Sequence, residues 1–188
     1  MCMCNIIAVT NRKLTDRPFL EQLKRVCCRH PKALILREKD LTEKEYENLA
    51  KEVLEICREN QVPCILHSWP GAARRLGCTS IHLPLPLLEK YSGQLEGFSE
   101  IGTSVHSLEE AKKAQDLGAT YMTAGHIFAT DCKKGLPPRG LDFLRQVCQS
   151  ADIPVYAIGG IKPQKEQLGQ IMACGASGGC VMSGMMRL

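Results

Sequence analysis

Short apolar segments alternate with longer, charge-studded ones along all 188 residues, and this alternation limits the possible folds more than any other feature of the chain. Eight of the short segments read as strands: Asn5–Thr10, Ala33–Arg37, Pro63–His67, Ser80–Leu83, Glu100–Ser104, Tyr121–Ala124, Pro154–Ile158 and Gly178–Met182. Several are apolar throughout, as strands covered on both faces are. The intervening segments carry helix signals. Thr42-Glu43-Lys44-Glu45 and Ser107-Leu108-Glu109-Glu110 match the capping box, a hydroxyl followed three residues later by a carboxylate. The first opens an amphipathic stretch ending near Asn60 and the second opens Leu108–Leu117. Pro163 suits the first turn of a seventh helix, and Gly175 marks its end. The pieces Leu76-Gly77-Cys78-Thr79, Leu117-Gly118-Ala119-Thr120 and Cys174-Gly175-Ala176-Ser177 repeat one device, a helix closed by glycine before a strand.

Strand–helix units in series fold as a parallel sheet with helices packed on it. With eight strands and no G-x-G-x-x-G after the first, a closed (βα)8 TIM barrel is expected rather than an open doubly wound sheet. No linker-like stretch divides the chain, so residues 1–188 are read as one barrel domain. Only Met185-Met186-Arg187-Leu188 follow the last strand, so the eighth helix is expected to be missing or very short. An apolar face near the first and last strands would then be left for a partner chain to cover, as in a homodimer.

Composition excludes several classes. No apolar run approaches the roughly 18 residues that span a membrane. Met1-Cys2-Met3-Cys4-Asn5 has none of the features of a secretory signal. The 11 cysteines include no C-x-x-C pair and no Cys/His cluster at zinc-ligand spacing. They fit a reducing cytosol, hence a cytoplasmic protein in which most cysteines, Cys27 and Cys28 included, are small packing residues. A net charge of +4 without a basic tract, with 5% aromatic residues, gives no nucleic-acid footprint; a small anion is the simpler target.

The ends of three strands suit such an anion. In barrels of this kind phosphate often sits at the loops after strands seven and eight, held by backbone N–H groups. Here those loops are Ile158-Gly159-Gly160-Ile161 and Met182-Ser183-Gly184. Glycine lets backbone approach an anion closely and Ser183 adds a hydroxyl donor, so Gly160, Ser183 and Gly184 are the expected phosphate contacts. Either motif alone would equally serve a tight turn. Strand two runs into Arg37-Glu38-Lys39-Asp40, where Arg37 and Lys39 fall on one side of an extended segment. They would hold a second anionic group in the barrel mouth, or else form a solvated charge cluster; the residues alone do not decide.

These features, together with Ser104-Val105-His106-Ser107 and the loop from Gly125-His126 through Thr130-Asp131-Cys132-Lys133-Lys134-Gly135, resemble the thiamine phosphate synthase/TenI family. The resemblance covers nearly the whole chain and is densest from Ile101 to Gly184, where it is closest to the TenI branch. It implies a (βα)8 barrel in thiamine biosynthesis and a small phosphorylated thiazole as substrate. In the synthase branch, Mg²⁺ is held by acids from an Asn-Asp pair after strand three and a Gln-Glu-Asp after strand four. The matching positions here are His67-Ser68 and Leu85-Pro86-Leu87, without a carboxylate. The synthase's Thr-x-Thr-Lys keeps Thr130 and Lys133 but has Cys132 in the middle.

TenI-type thiazole tautomerases convert a carboxythiazole phosphate to its aromatic tautomer by moving one proton between carbons, without cofactor or metal. An imidazole suits both halves of that transfer. His126 matches the family's catalytic histidine. His67, in place of a synthase Asn, is expected to contact substrate, as are Ser104, Thr130 and Lys133 by the resemblance. His30, before Pro31, is expected to be structural; His82 and His106 lie at strand ends, with His106 packing locally beside a helix cap. Three functions follow: a thiazole tautomerase first, a divergent Mg²⁺-dependent thiamine phosphate synthase second, and a non-catalytic thiazole-phosphate-binding protein third.

Overall fold

The computed structural model describes residues 3–130, 133 and 135–188. Eight parallel strands close into a barrel in chain order: β1 (Ile6–Val9), β2 (Ala33–Leu36), β3 (Cys64–His67), β4 (Ser80–Pro84), β5 (Glu100–Val105), β6 (Tyr121–Gly125), β7 (Val155–Ile158) and β8 (Gly178–Val181). Each expected strand is present within two residues at either end. The helices are α1 (Phe19–Cys27), α2 (Glu43–Glu59), α3 (Pro70–Arg75), α4 (Leu85–Lys90), α5 (Leu108–Asp116), α6 (Gly140–Ser150), α7 (Lys165–Ala173) and α8 (Ser183–Met186). Contacts group the chain into two compact units. One holds the stretch up to His82 with Gly97–Ser99 and Met182–Leu188; the other holds Leu83–Glu96 and Glu100–Val181.

In the first unit the register aligns Val9 with Ile35 and Ile35 with Ile65, and His67 with His82. Because side chains alternate along a strand, these residues and Arg37 share one face. The other face carries Cys64, which meets Cys57 of α2 and so looks toward the helices. The shared face therefore lines the barrel interior. Tyr46 of α2 is fully buried and its hydroxyl enters the end of the β2–β3 ladder: it donates to Leu36 O at 2.7 Å and accepts from His67 N at 2.7 Å. Thr42 caps α2 with both halves of the capping box, and Asn60 closes the helix.

The end of the chain is a single turn. α8 spans four residues, and Met185 and Met186 are buried in it. The Gln22 amide of α1 donates to Met185 O at 2.6 Å, and Arg17 donates to Leu188 O at 2.5 Å. The eighth helix is thus very short, as expected. Its two methionines pack inward instead of leaving that apolar segment open.

In the second unit Gly102 faces Tyr121, Ser104 faces Thr123, Thr123 faces Tyr156, and Tyr156 faces Gly178. Gly179, in the opposite phase, looks at Leu168 and Ile171 of α7, so the first set is interior. Two tyrosines meet edge to face there, with ring centroids 6.0 Å apart. They fit because their neighbours are small: a Cβ on Gly102 would lie within the Tyr121 ring.

Four sequence readings change. Pro163 does not begin α7; the helix starts at Lys165 behind Gln164, whose N–H closes a turn onto Lys162 O at 2.8 Å, leaving the proline in the approach. The Ser107 box is half formed, since the Glu110 carboxylate accepts from His106 N rather than from the cap residue. His82 is the third of five β4 residues and not a strand-end group. Of the nine cysteines described, four are buried, so burial is not the rule for them. Cys27 is one of the four, 4.0 Å from Cys57 Sγ, whereas Cys28 is exposed. Cys2 and Cys132 lie outside the described residues.

Gly102→Ala should cost about 1–3 kcal/mol, the usual penalty for forcing a methyl into a filled core. Urea unfolding measures it. An unchanged midpoint would mean that the Tyr121 ring has somewhere to withdraw.

Candidate active site

Arg37 and Lys39 follow the carboxyl end of β2, and the residue between them is firmly anchored. Glu38 is buried and accepts from Thr10 Oγ1 at 2.7 Å, from Arg12 N at 3.1 Å and from the Arg12 guanidinium at 3.1 Å. Asp40 completes the grip, taking Arg12 in a two-pronged pair at 2.7 and 2.9 Å. Contact with Lys13, and then with Arg12, lowers the Asp40 carboxyl to about 2. Glu38 and Asp40 are thus both held against Arg12, with Arg37 half-buried and Lys39 exposed beside them. Arg37 N also donates to Thr10 Oγ1 at 2.9 Å. A hollow of about 150 Å³ lies among Asn11, Lys13, Arg37, Glu38, Lys39 and Asp40.

His67 and His82 stack inside the barrel below these cations, with centroids 5.7 Å apart and planes 15° from parallel. Burial, before any neighbouring charge, opposes protonation of both: His67 is pushed well below its usual range and His82 to about 3, with Arg37 adding repulsion in each case. His67 Nδ1 is 2.6 Å from Ser68 Oγ. Ser68 holds a positive φ of 69°, and its N–H donates to His82 O at 3.0 Å. Arg37 and Lys39 both lie close enough to His67 for their charge to oppose its protonation.

His126 directly follows β6 and is 7% exposed. The β6–β7 ladder continues past both strands, with Ile127 N donating to Ile158 O at 2.9 Å and Phe128 N to Gly159 O at 3.0 Å. That continuation needs glycine. A Cβ on Gly159 would overlap His126 Cβ, and one on Gly160 would stand 2.5 Å from Ala129 O. The Gly159-Gly160 pair therefore has a packing role against the His126 loop, whatever else it binds. Arg139 N donates to His126 O at 2.9 Å, which ties the far side of the loop. The His126 ring reaches Leu136 O through Nε2 at 3.4 Å. A carbonyl only accepts, so in this contact Nε2 is the donor, and in that tautomer Nδ1 carries the lone pair.

The remaining sequence-named residues fall as follows. Ser104 is on the interior face and accepts from Thr123 Oγ1 at 2.9 Å. Thr130 and Lys133 are half-buried in the post-β6 segment and joined by a Lys133 N to Thr130 O bond of 3.1 Å. Gly160 follows β7 by two residues, and Ser183 follows β8 by two; the strands pair with Ile158 opposite Cys180. Ser183 and Gly184 are the first two residues of α8. His30 is an exposed turn residue with φ 47°. His106 meets Glu110 beside its helix cap through its backbone N–H, but its ring does not pack there: Nδ1 lies 2.7 Å from Gly125 O, 19 residues along the chain at the end of β6. Among the described residues, no three His, Cys, Asp or Glu side chains group as a metal site, and no helix is long and apolar enough to cross a membrane.

The family model and the curated relatives agree on one family. The family model described as thiamine monophosphate synthase (TMP-TENI) matches residues 6–185. A thiamine-phosphate synthase of Syntrophomonas wolfei is 32% identical over 189 residues, covering 97% of this chain and 88% of the relative. A thiamine-phosphate synthase 2 of Streptococcus pneumoniae is 31% identical, covering 95% of this chain and 86% of the relative. The solved thiamine phosphate pyrophosphorylase of Pyrococcus furiosus superposes with a TM-score of 0.82 at 28% identity, over 98% of this chain and 88% of its own.

Both buried imidazoles stay neutral in the folded chain, while the unfolded chain takes up protons below about pH 6.5. Folding stability should therefore fall with acid below that point, by up to about 1.4 kcal/mol per pH unit for each histidine. Urea midpoints measured at about pH 7.5 and 5.5 should diverge in the parent chain, and less so in His82→Gln. Equal divergence in the two would place the acid sensitivity elsewhere.

Proposed function

We propose, from the premise that this chain belongs to the thiamine monophosphate synthase family, that it is an enzyme acting on a phosphorylated thiazole, and that its reaction is the metal-independent tautomerisation of a carboxythiazole phosphate. What carries this reading is which residue types stand on β3 and β4 and directly after them. A synthase needs Mg²⁺ against a diphosphate, and Mg²⁺ demands hard oxygen ligands, usually carboxylates. The residues present do not fit that ion: His67 and His82 are neutral stacked rings, Ser68 is a hydroxyl, and α4 opens on Leu85-Pro86-Leu87. Glu38, the buried carboxylate nearby, is committed to Thr10 and Arg12.

His126 then does the chemistry. Nδ1 removes the proton from one ring carbon, the electron pair spreads into the thiazole, and the imidazolium returns the proton to the second carbon as aromaticity is gained. Arg37, Lys39 and Lys133 are assigned to the carboxylate, and Gly160, Ser183 and Gly184 to the phosphate. His67 contributes a neutral polar contact, with Ser104 and Thr130 completing the substrate's surroundings. A cytosolic setting belongs to the same proposal; it rests on nine described cysteines that are all free thiols.

The names of the relatives favour a second reading, a thiamine phosphate synthase. Arg37, Lys39, Thr130 and Lys133 are compatible with it. One pair of assays separates the two. Supplied with the non-aromatic carboxythiazole phosphate, the enzyme should form the aromatic product at the same rate in EDTA and in millimolar Mg²⁺. His126→Ala should lose about 100-fold or more in kcat, in line with removal of an acid–base group. Wild-type turnover by His126→Ala would sink the tautomerase. Mg²⁺-dependent thiamine phosphate formation from the two precursors would establish the synthase instead, and tight binding of thiazole phosphate without either turnover would leave a binding protein.

A further inference from the structure

His106 stands one residue past β5, in phase with the interior residues Gly102 and Ser104. Its backbone N–H donates to Glu110 Oε2 at 2.6 Å, and its ring nitrogen Nδ1 is 2.7 Å from Gly125 O. A carbonyl accepts only, so Nδ1 carries the proton and donates it to that oxygen. Gly125 O belongs to the peptide unit that supplies the nitrogen of His126. Peptide units are planar, so a bond that holds the oxygen holds the plane, and with it the position of the His126 Cα from which the side chain leaves the backbone.

Among the described residues, the other restraints on this peptide are made by backbone or by missing atoms. Gly159 leaves no room beyond the His126 Cβ, and Ile127, Phe128 and Arg139 bond through their N–H groups. His106 is the side chain that adds to them. It is braced from behind, because Glu110 grips its N–H while Glu110 N itself donates to Ser107 Oγ at 3.1 Å. The carboxylate that would have completed the capping box of α5 is spent on this brace.

We infer that His106 is a positioning residue for His126: Glu110, His106 and Gly125 O form a strut from the start of α5 that fixes the position from which the reacting imidazole leaves the backbone. The inference rests on the reading of His126 as the proton-transfer group. A reacting atom displaced by a fraction of an ångström loses much of its rate, whereas substrate affinity set by other groups is unaffected.

The test is a pair of variants. His106→Asn keeps an amide N–H close to the place of Nδ1 but has no nitrogen that can shuttle protons; His106→Leu has neither. In His106→Leu the tautomerase kcat should fall about 10- to 100-fold with KM little changed, and in His106→Asn it should return to within about threefold of wild type. In parallel, the His126 Cε1–Hε1 NMR signal, assigned by its loss in His126→Gln, should move in His106→Leu and return in His106→Asn. Should His106→Leu not fold, His106→Gln takes its place, since its longer amide misses the same carbonyl. The inference is overturned if Asn is as impaired as Leu, which would make His106 an acid–base group itself, or if the His126 signal does not move in the Leu variant. If the wild type turns over no thiazole, the functional reading fails, while the NMR arm still decides whether the strut positions His126.

Discussion

A parallel strand turns its side chains to alternate faces, and each role described above depends on that two-residue period. In the run after β2 the two carboxylates are held by Arg12, while Arg37 continues the interior phase of Ile35. Along β3 and β4 the period stacks two imidazoles on the inside while Cys64 looks at α2. In β5 to β8 it lets a glycine stand opposite each interior tyrosine. A shift of one residue in any of these strands would exchange the barrel's contents for its helix-facing residues, so register and chemistry are one constraint here.

Much of the fold was legible because its signals are local. Eight apolar segments gave eight strands, and the Thr42 box gave α2 to its last turn. The echo of helix-end glycines corresponds to Gly77, Gly118 and Gly175, each of which takes a positive φ. The local signals erred where a side chain had two possible partners. Glu110 fits the capping-box pattern equally well whether it accepts from Ser107 N or from His106 N, and spacing does not distinguish them. Pro163 suits a first turn and suits the approach to one.

The site was less legible, since its working parts are long-range. That Glu38 is an anchor follows from Thr10 and Arg12, some 26 to 28 residues earlier, and nothing in Arg37-Glu38-Lys39-Asp40 reveals it. The one available hint was Thr10, a lone hydroxyl at the end of an apolar strand. His82 read as a strand-end residue because its pairing with His67 is a matter of register between two strands. The glycines after β7 were read for an anion, and their close approach to the His126 loop was not foreseen. Such close approaches leave no mark on sequence beyond the glycine itself.

The Tyr46 hydroxyl has a consequence of a different kind. Neighbouring parallel strands are normally zipped by direct N–H to O=C bonds. At the top of β2 and β3 the zip is interrupted: His67 N and Leu36 O meet through an intervening phenol oxygen. The hydroxyl acts as a one-atom spacer, satisfying both backbone groups while holding them farther apart than a direct bond would. A residue of the outer helix layer thus sets the gauge between two inner strands at the point where Arg37 and His67 leave them. The width of the opening on that side is specified from outside the barrel, by a ring buried beneath α2.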